Sequence, residues 1–352
     1  MNACCLPDSC ECVASGELGV ALSGGGAKAL AQLGVLKVLD RERIPVSYVA
    51  GTSAGAVIGA VYVTSRDAAE ATDRVMGHLA STGVGFNVET LTALGGFGRA
   101  GGLVGAVRSL WRASRRGRGL IGGSAMRASL KRLLQDATFD DTRVPFATAA
   151  LDLVSGRRMI FAGGPLVDAV YASSAIPGLF EPLELESHVL ADGGWAEPVP
   201  VNTCHHLGAI HVLAVEVSSA QPVAAGDSAV STALRADAWT RQLLEEAQLG
   251  EADFVVRPRV TVKHFADFSD PAGIIAAGEQ AAEAGLPEIK AVLERHRSLF
   301  VRTGAMSMVK RQGSAGREAP LDILKRKHAA GEITTQEYEE RRATLTRDRE
   351  VA

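Results

Sequence analysis

The chain contains no run of about 18 apolar residues, so nothing in it is expected to span a bilayer as a helix. Its first residues, Met1 to Cys12, carry neither a basic segment nor an apolar core, which excludes a secretory leader there and makes a cytoplasmic address the default expectation. A surplus of one charge is also missing. Lys+Arg number 37 and Asp+Glu 40, a net charge of −3, so bulk charge offers no reason to expect nucleic acid as a partner. Cysteine is scarce beyond the first dozen residues: Cys4, Cys5, Cys10 and Cys12 crowd the start and Cys204 stands alone. Their C-C-x4-C-x-C spacing is not the C-x2-C pairing of zinc sites, so residues 1–16 read as a disordered tail of reduced thiols without a metal. What remains is the composition of an ordinary globular protein, 47% hydrophobic and 22% charged, in a chain of 352 residues that can bury a sizeable core.

Apolar runs and helical stripes alternate along most of the chain. Leu18 to Leu22 is a short apolar run that enters Ser23-Gly24-Gly25-Gly26, a strand leading into a glycine turn. From Ala27 to Arg43, Leu30, Leu33, Gly34, Val35, Val38 and Leu39 recur at helical spacing until Pro45 ends the stripe. Val46 to Ala50 then reads as a buried strand. Further strands are expected at 144–153, 159–162, 188–191, 211–217 and 254–256, with helices at 124–134, 166–174, 231–249 and 276–297. Such alternation predicts an α/β fold with a mostly parallel sheet.

Two stretches break the rhythm. Residues 85–123 are rich in Gly and Arg, with Glu89 as the one acid among many cations. Within 101–118, Leu103, Val104, Val107, Leu110 and Trp111 lie at helical spacing, and Arg108, Arg112 and Arg115 occupy the rest of the surface. That pattern fits a cap packed over the core, or a lid whose apolar face enters lipid while its cations meet anionic head groups. At the other end, 303–319 reads as a polar linker and 320–348 as two short helices broken at Gly331, the second opened by the T-x-x-E spacing of Thr334 and Glu337. So small a hairpin cannot be stable alone, so it is expected to dock on this chain, another copy or a protein partner.

The chemistry centres on Gly51-Thr52-Ser53-Ala54-Gly55, between a strand and the apolar start of a helix. A strand–G-x-S-x-G–helix turn is a nucleophile elbow, in which Ser53 is lifted clear and Gly51 and Gly55 keep neighbours away. Gly24, Gly25 and Gly26, at a strand end before a helix, offer backbone N–H groups to a developing oxyanion. A phosphate-cradling reading of that loop fails on spacing, because Ala29 stands where G-x-G-x-x-G needs its third glycine. The base is the open question. His205, His206, His211, His264, His296 and His328 follow the elbow, and none lies in a convincing loop after a strand. Asp192, in Leu190-Ala191-Asp192-Gly193-Gly194, is an acid at a strand end that reads equally well as a plain turn.

Taken together, S-G-G-G-A-K (23–28), L-G-V-L (33–36), A-G-T-S-A-G-A (50–56), A-S-S-A-I-P-G-L-F (172–180) and D-G-G (192–194) resemble the patatin-like phospholipase family over roughly residues 17–300. The resemblance implies a three-layer α/β/α sandwich and a Ser–Asp dyad in place of a triad. Ser53 would then be the nucleophile and Asp192 its base, with Gly24, Gly25 and Gly26 as the oxyanion hole. Lys28 falls where the family carries a basic residue, and Gly51, Gly55, Gly193 and Gly194 have supporting places. It also implies hydrolysis of phospholipid or another lipid ester through an acyl-serine, with no metal or cofactor. Ala29 replaces a glycine usual in the family. The alternatives are an esterase for small soluble esters and a silent module that binds lipid or a partner. Residues 320–345 resemble the short C-terminal helical module SHOCT, which implies an interaction or oligomerisation role.

Overall fold

The computed structural model describes residues 18–82, 119–121, 123–218, 229–262 and 264–307. The proposed lid at 101–118, the Cys-rich tail and the C-terminal hairpin lie outside those residues. The chain divides into two compact units, 1–289 and 290–352. Among the described residues the second unit holds only the end of one helix, and the first holds the rest.

Its centre is a sheet in the order β10-β9-β1-β2-β4-β8-β7, with β5 hydrogen-bonded to the same strand β4. The strands are β1 (Leu18–Leu22), β2 (Tyr48–Gly51), β4 (Phe146–Asp152), β5 (Arg158–Phe161), β7 (Leu183–Leu185), β8 (His188–Asp192), β9 (His211–Val215) and β10 (Phe254–Val256). A separate two-stranded sheet pairs β3 (Gly119–Ile121) with β6 (Gly178–Phe180). From β10 through β4 all neighbours are parallel, whereas β8, β7 and β5 run antiparallel to their partners. The expected parallel sheet therefore carries an antiparallel edge. β1 and β9 are buried at every position, as strands covered on both faces must be, and this explains why they are apolar without alternation.

The helices are α1 (Leu30–Arg41), α2 (Ala54–Val63), α3 (Ala68–Thr82), α4 (Gly123–Leu134), α5 (Leu166–Ser174), α6 (Val201–Leu207), α7 (Ala229–Leu249) and α8 (Pro271–Ser307). Two of them show how the sheet is sandwiched. Ala21, Ala50, Val212 and Ala214 pack with Val201 and Cys204 of α6 in one cluster. On the opposite face, Gly59 of α2 lies so near Leu22, Val49 and Phe146 that a Cβ there would stand 2.8 Å from the Phe146 ring. Because side chains alternate along a strand, neighbouring residues of β1 supply both layers. The three-layer α/β/α architecture follows from that alternation.

Several local expectations needed adjustment. The turn after β1 begins as a 3-10 helix, Gly26–Ala29, before α1 proper. α8 runs to Ser307, so 303–307 are helical where a linker was expected. Residues 119–121 and 123–134 of the Gly/Arg-rich region and its flank are a strand and a helix of the fold.

From β1 the chain moves outward through β2 and β4, then returns to the other side of β1 with β9 and β10. β1 is thus the topological switch point, and the register Leu22↔Gly51 and Leu22↔Val215 aligns its carboxyl end with those of β2 and β9. Open α/β sheets bind ligands at that edge. The glycine turn and the serine elbow both sit there. Beneath them α1 meets α8 backbone to backbone: a Cβ on Gly278 would overlap the Ala31 carbonyl, and one on Gly34 would overlap that of Ile275. Gly278→Ala is expected to destabilise the fold by about 1–3 kcal/mol, since the helices must separate. Urea unfolding should show a lower midpoint with an unchanged slope.

Candidate active site

Ser53 caps α2 with φ 55 and ψ −123, a left-handed conformation that a serine adopts only under constraint. Such strain costs of order 1–3 kcal/mol and persists only when neighbours over-determine it. The neighbours are visible. Gly55 presses on β1 so closely that a Cβ would run into the carbonyls of Leu22 and Ser23, and a Cβ on Gly51 would collide with the start of α2. Thr148 Oγ1 donates to Gly51 O at 2.7 Å, and Thr52 Oγ1 donates to Glu197 O at 2.8 Å. The elbow is held from the sheet and from the segment after Asp192 at once.

Ser53 Oγ donates to Asp192 Oδ2 at 2.6 Å, and Asp192 Oδ1 accepts from Gly194 N at 2.7 Å. Asp192 is buried at 3% exposure, and Gly193 lets the turn lie against Ala149. Burial pushes the Asp192 carboxyl up to about 6, although the bonds from Ser53 and Gly194 and the charge of Arg241 favour its ionised form. A carboxylate so starved of water is a stronger base toward the serine proton.

The histidines lie elsewhere. His211 pairs with Asp253 at 3.1 Å from the amino end of β9, the opposite edge of the sheet. His205 contacts Ala209 O, and exposed His264 precedes the loop residue Phe265. The side chain of His296 and all of His328 lie outside the described residues. Among the described residues, the one side chain that accepts from Ser53 Oγ is Asp192.

The glycine turn has three donors by sequence but not by geometry. Gly24 N already donates to Pro198 O at 3.1 Å, so Gly24 serves to tie the turn down and its N–H is not available to an oxyanion. This corrects the expectation that all three glycines donate. Gly25 and Gly26 adopt φ 154 and 58 and open the 3-10 turn, and no described group accepts from their N–H. A side chain would be strained at both, and at Gly25 its Cβ would meet Val217 at 2.8 Å. Ala54 N, at the first position of α2, is likewise without an acceptor, as helix geometry requires. Gly24 lies against Ser53, its would-be Cβ 3.4 Å from Ser53 Cβ. Lys28 is buried within the turn at 7% exposure, and Ala29 follows it at 2%.

Sequence reasoning missed Ala54 and the end of α5. Ser53 N donates to Ser173 Oγ at 3.0 Å, and Asp192 N donates to Ala175 O at 2.9 Å. One helix end thus holds the backbones of both partners. The A-S-S-A stretch at 172–175 was visible as a motif, but nothing in its residue types says that it touches the elbow. Glu197, fully buried, accepts from Thr203 N and Oγ1 and pairs with Arg158 at 2.7 Å, which anchors the segment that Thr52 holds. Among the described residues no cluster of three or more His, Cys, Asp or Glu is arranged to hold a metal ion.

A strained strand–turn–helix serine that donates to a buried carboxylate defines a class of site suited to acyl transfer. A profile of the patatin-like phospholipase family matches residues 20–205, the stretch that contains the glycine turn, the elbow and Asp192. The chain belongs to the patatin-like phospholipase family. A second profile, the SHOCT short C-terminal domain, matches residues 319–345. Patatin-like phospholipase domain-containing protein 6 of Homo sapiens is 30% identical over 205 residues, 57% of this chain and 13% of that protein. Lysophospholipase NTE1 of Mycosarcoma maydis is 29% identical over 219 residues, 60% of this chain and 10% of that one. The chain therefore spans a small part of these much longer relatives. Among solved structures, VipD from Legionella pneumophila superposes with a TM-score of 0.41 at 15% identity, covering 78% of this chain and 67% of that one.

The proton balance of Asp192 yields two expectations. Its folded affinity for a proton exceeds the unfolded value of about 3.9, so it contributes stability below pH 4 that is lost as pH rises through about 6. Asp192→Asn should remove that loss: its unfolding free energy should match the wild type at pH 4 and exceed it by about 1–3 kcal/mol at pH 8. Wild-type turnover should fall as pH drops through about 6. Ser173→Ala should lower kcat about tenfold with little change in KM, because the N–H of Ser53 loses its acceptor.

Proposed function

We propose that this protein hydrolyses carboxyl esters of lipids, in the manner of a phospholipase A or lysophospholipase, through a Ser53–Asp192 dyad and an acyl-Ser53 intermediate. The observation that carries this reading is the 2.6 Å hydrogen bond from Ser53 Oγ to a buried carboxylate at a strained elbow. Membership of the family and relatives that bear the name lysophospholipase support the lipid substrate.

Ser53 Oγ attacks the ester carbonyl as its proton passes to Asp192 Oδ2. Negative charge then gathers on the carbonyl oxygen, for which the N–H groups of Gly25, Gly26 and Ala54 are the free donors. Collapse expels the alcohol, which takes the proton from Asp192, and leaves an acyl-serine. Water attacks next, gives a proton to Asp192, and the acid product departs as Ser53 recovers that proton. Asp192 acts as base and then acid in each half, so no histidine relay is required.

Ser53→Ala should lower hydrolysis of a nitrophenyl ester by at least about 1,000-fold and abolish covalent labelling by a fluorophosphonate probe. Labelling that persists in the variant overturns the nucleophile. Turnover of a lipid ester should also rise sharply once substrate passes its micelle concentration; a smooth curve would favour a soluble ester.

A further inference from the structure

We propose that the guanidinium of Arg241, clamped by Asp237 and Trp195, is the group that recognises the phosphate of the lipid substrate's head group. This rests on the reading of Ser53 and Asp192 as the reacting pair. Arg241 Nε donates to Asp237 Oδ2 at 3.1 Å, and Trp195 Nε1 donates to Asp237 Oδ1 at 2.9 Å. The guanidinium carbon lies over the Trp195 ring, 4.6 Å from its centre. One carboxylate oxygen and one aromatic face thus hold the guanidinium, while the other oxygen of the same carboxylate holds the Trp195 ring. Its two Nη groups have no acceptor among the described residues, and the side chain keeps 39% of its surface exposed.

A flexible surface arginine would lose much side-chain entropy on binding an anion; the contacts with Asp237 and Trp195 have already restricted this one. The free edge of a guanidinium matches two phosphate oxygens, which a carbonyl or hydroxyl of a neutral lipid cannot satisfy. Location adds the rest. Trp195 closes the 3-10 turn Gly193–Trp195 that Asp192 itself caps, so the clamp is built on the same turn as the base. The charge of Arg241 reaches Asp192 and favours its ionised form. In a glycerophospholipid the phosphate is separated from the acyl esters by no more than the glycerol unit, so an anion group belongs beside the reacting pair.

The test compares a lysophospholipid with a monoacylglycerol of the same acyl chain in one detergent. Arg241→Gln should reduce the ratio of kcat/KM for the two by about 30- to 100-fold, mostly through KM for the phospholipid. A ratio within threefold of wild type overturns the proposal, because a variant that merely loosens α7 slows both esters alike. Should the variant fold poorly, the wild type still decides. Glycerol 3-phosphate at millimolar concentration should compete with the neutral ester, and no competition overturns the proposal. Inorganic phosphate competing equally well assigns the fork to free phosphate and overturns the head-group assignment. If wild type cleaves neither ester, the dyad reading itself has failed; if it cleaves the monoacylglycerol and only the ratio is unmoved, the Arg241 assignment alone falls.

Discussion

The hydrogen bond between Ser53 Oγ and Asp192 Oδ2 joins residues 139 positions apart, and its 2.6 Å length depends on three chain segments ending at one place. β2 delivers the serine at the carboxyl edge of the parallel strands. β8 runs the opposite way, and its register sets Asp192 level with Ala150 of β4, two residues beyond the Thr148 that pairs with Gly51. The end of α5 then takes the N–H of both residues, one on Ser173 Oγ and one on Ala175 O. The antiparallel edge is therefore no ornament on an otherwise parallel sheet. Its register brings the Asp192 carboxylate within hydrogen-bond reach of Ser53 Oγ.

The same arrangement makes the site costly to the fold. A left-handed serine, an ionisable group at 3% exposure and a turn with two unaccepted N–H groups each work against stability. What offsets them is dense packing directly behind: fully buried β1 and β9, glycine contacts that bring backbones together, and the Glu197 network that fixes the segment after Asp192. Strain of this kind persists only where the surrounding core over-determines the strained residue.

Much of this was legible in the amino-acid order. β1, β10 and α5 fall where apolar runs and periodicity placed them, and the elbow, the glycine turn and D-G-G mark the site. These features are local: a turn that needs glycine, or a strand buried on both faces, leaves its mark within a few residues. The donors of the glycine turn were less legible, because the engagement of Gly24 N with Pro198 depends on a segment far along the chain. Ser173 was hidden for the same reason. A serine near a helix end has many ordinary explanations, and only its place beside Ser53 gives it a role.

The sequence by itself determined the α/β class, the elbow at Ser53 and the absence of any helix pattern long and apolar enough to span a bilayer. Each rests on residue type and short-range spacing. The tertiary structure decided the hydrogen bond that Ser53 Oγ makes to Asp192 and to no described histidine, which N–H groups among the described residues lack an acceptor, and the contacts that Asp237 and Trp195 make with Arg241. Those depend on the order and direction of strands, and strand order is set by how distant segments share one core, a long-range property that no short window of residues encodes.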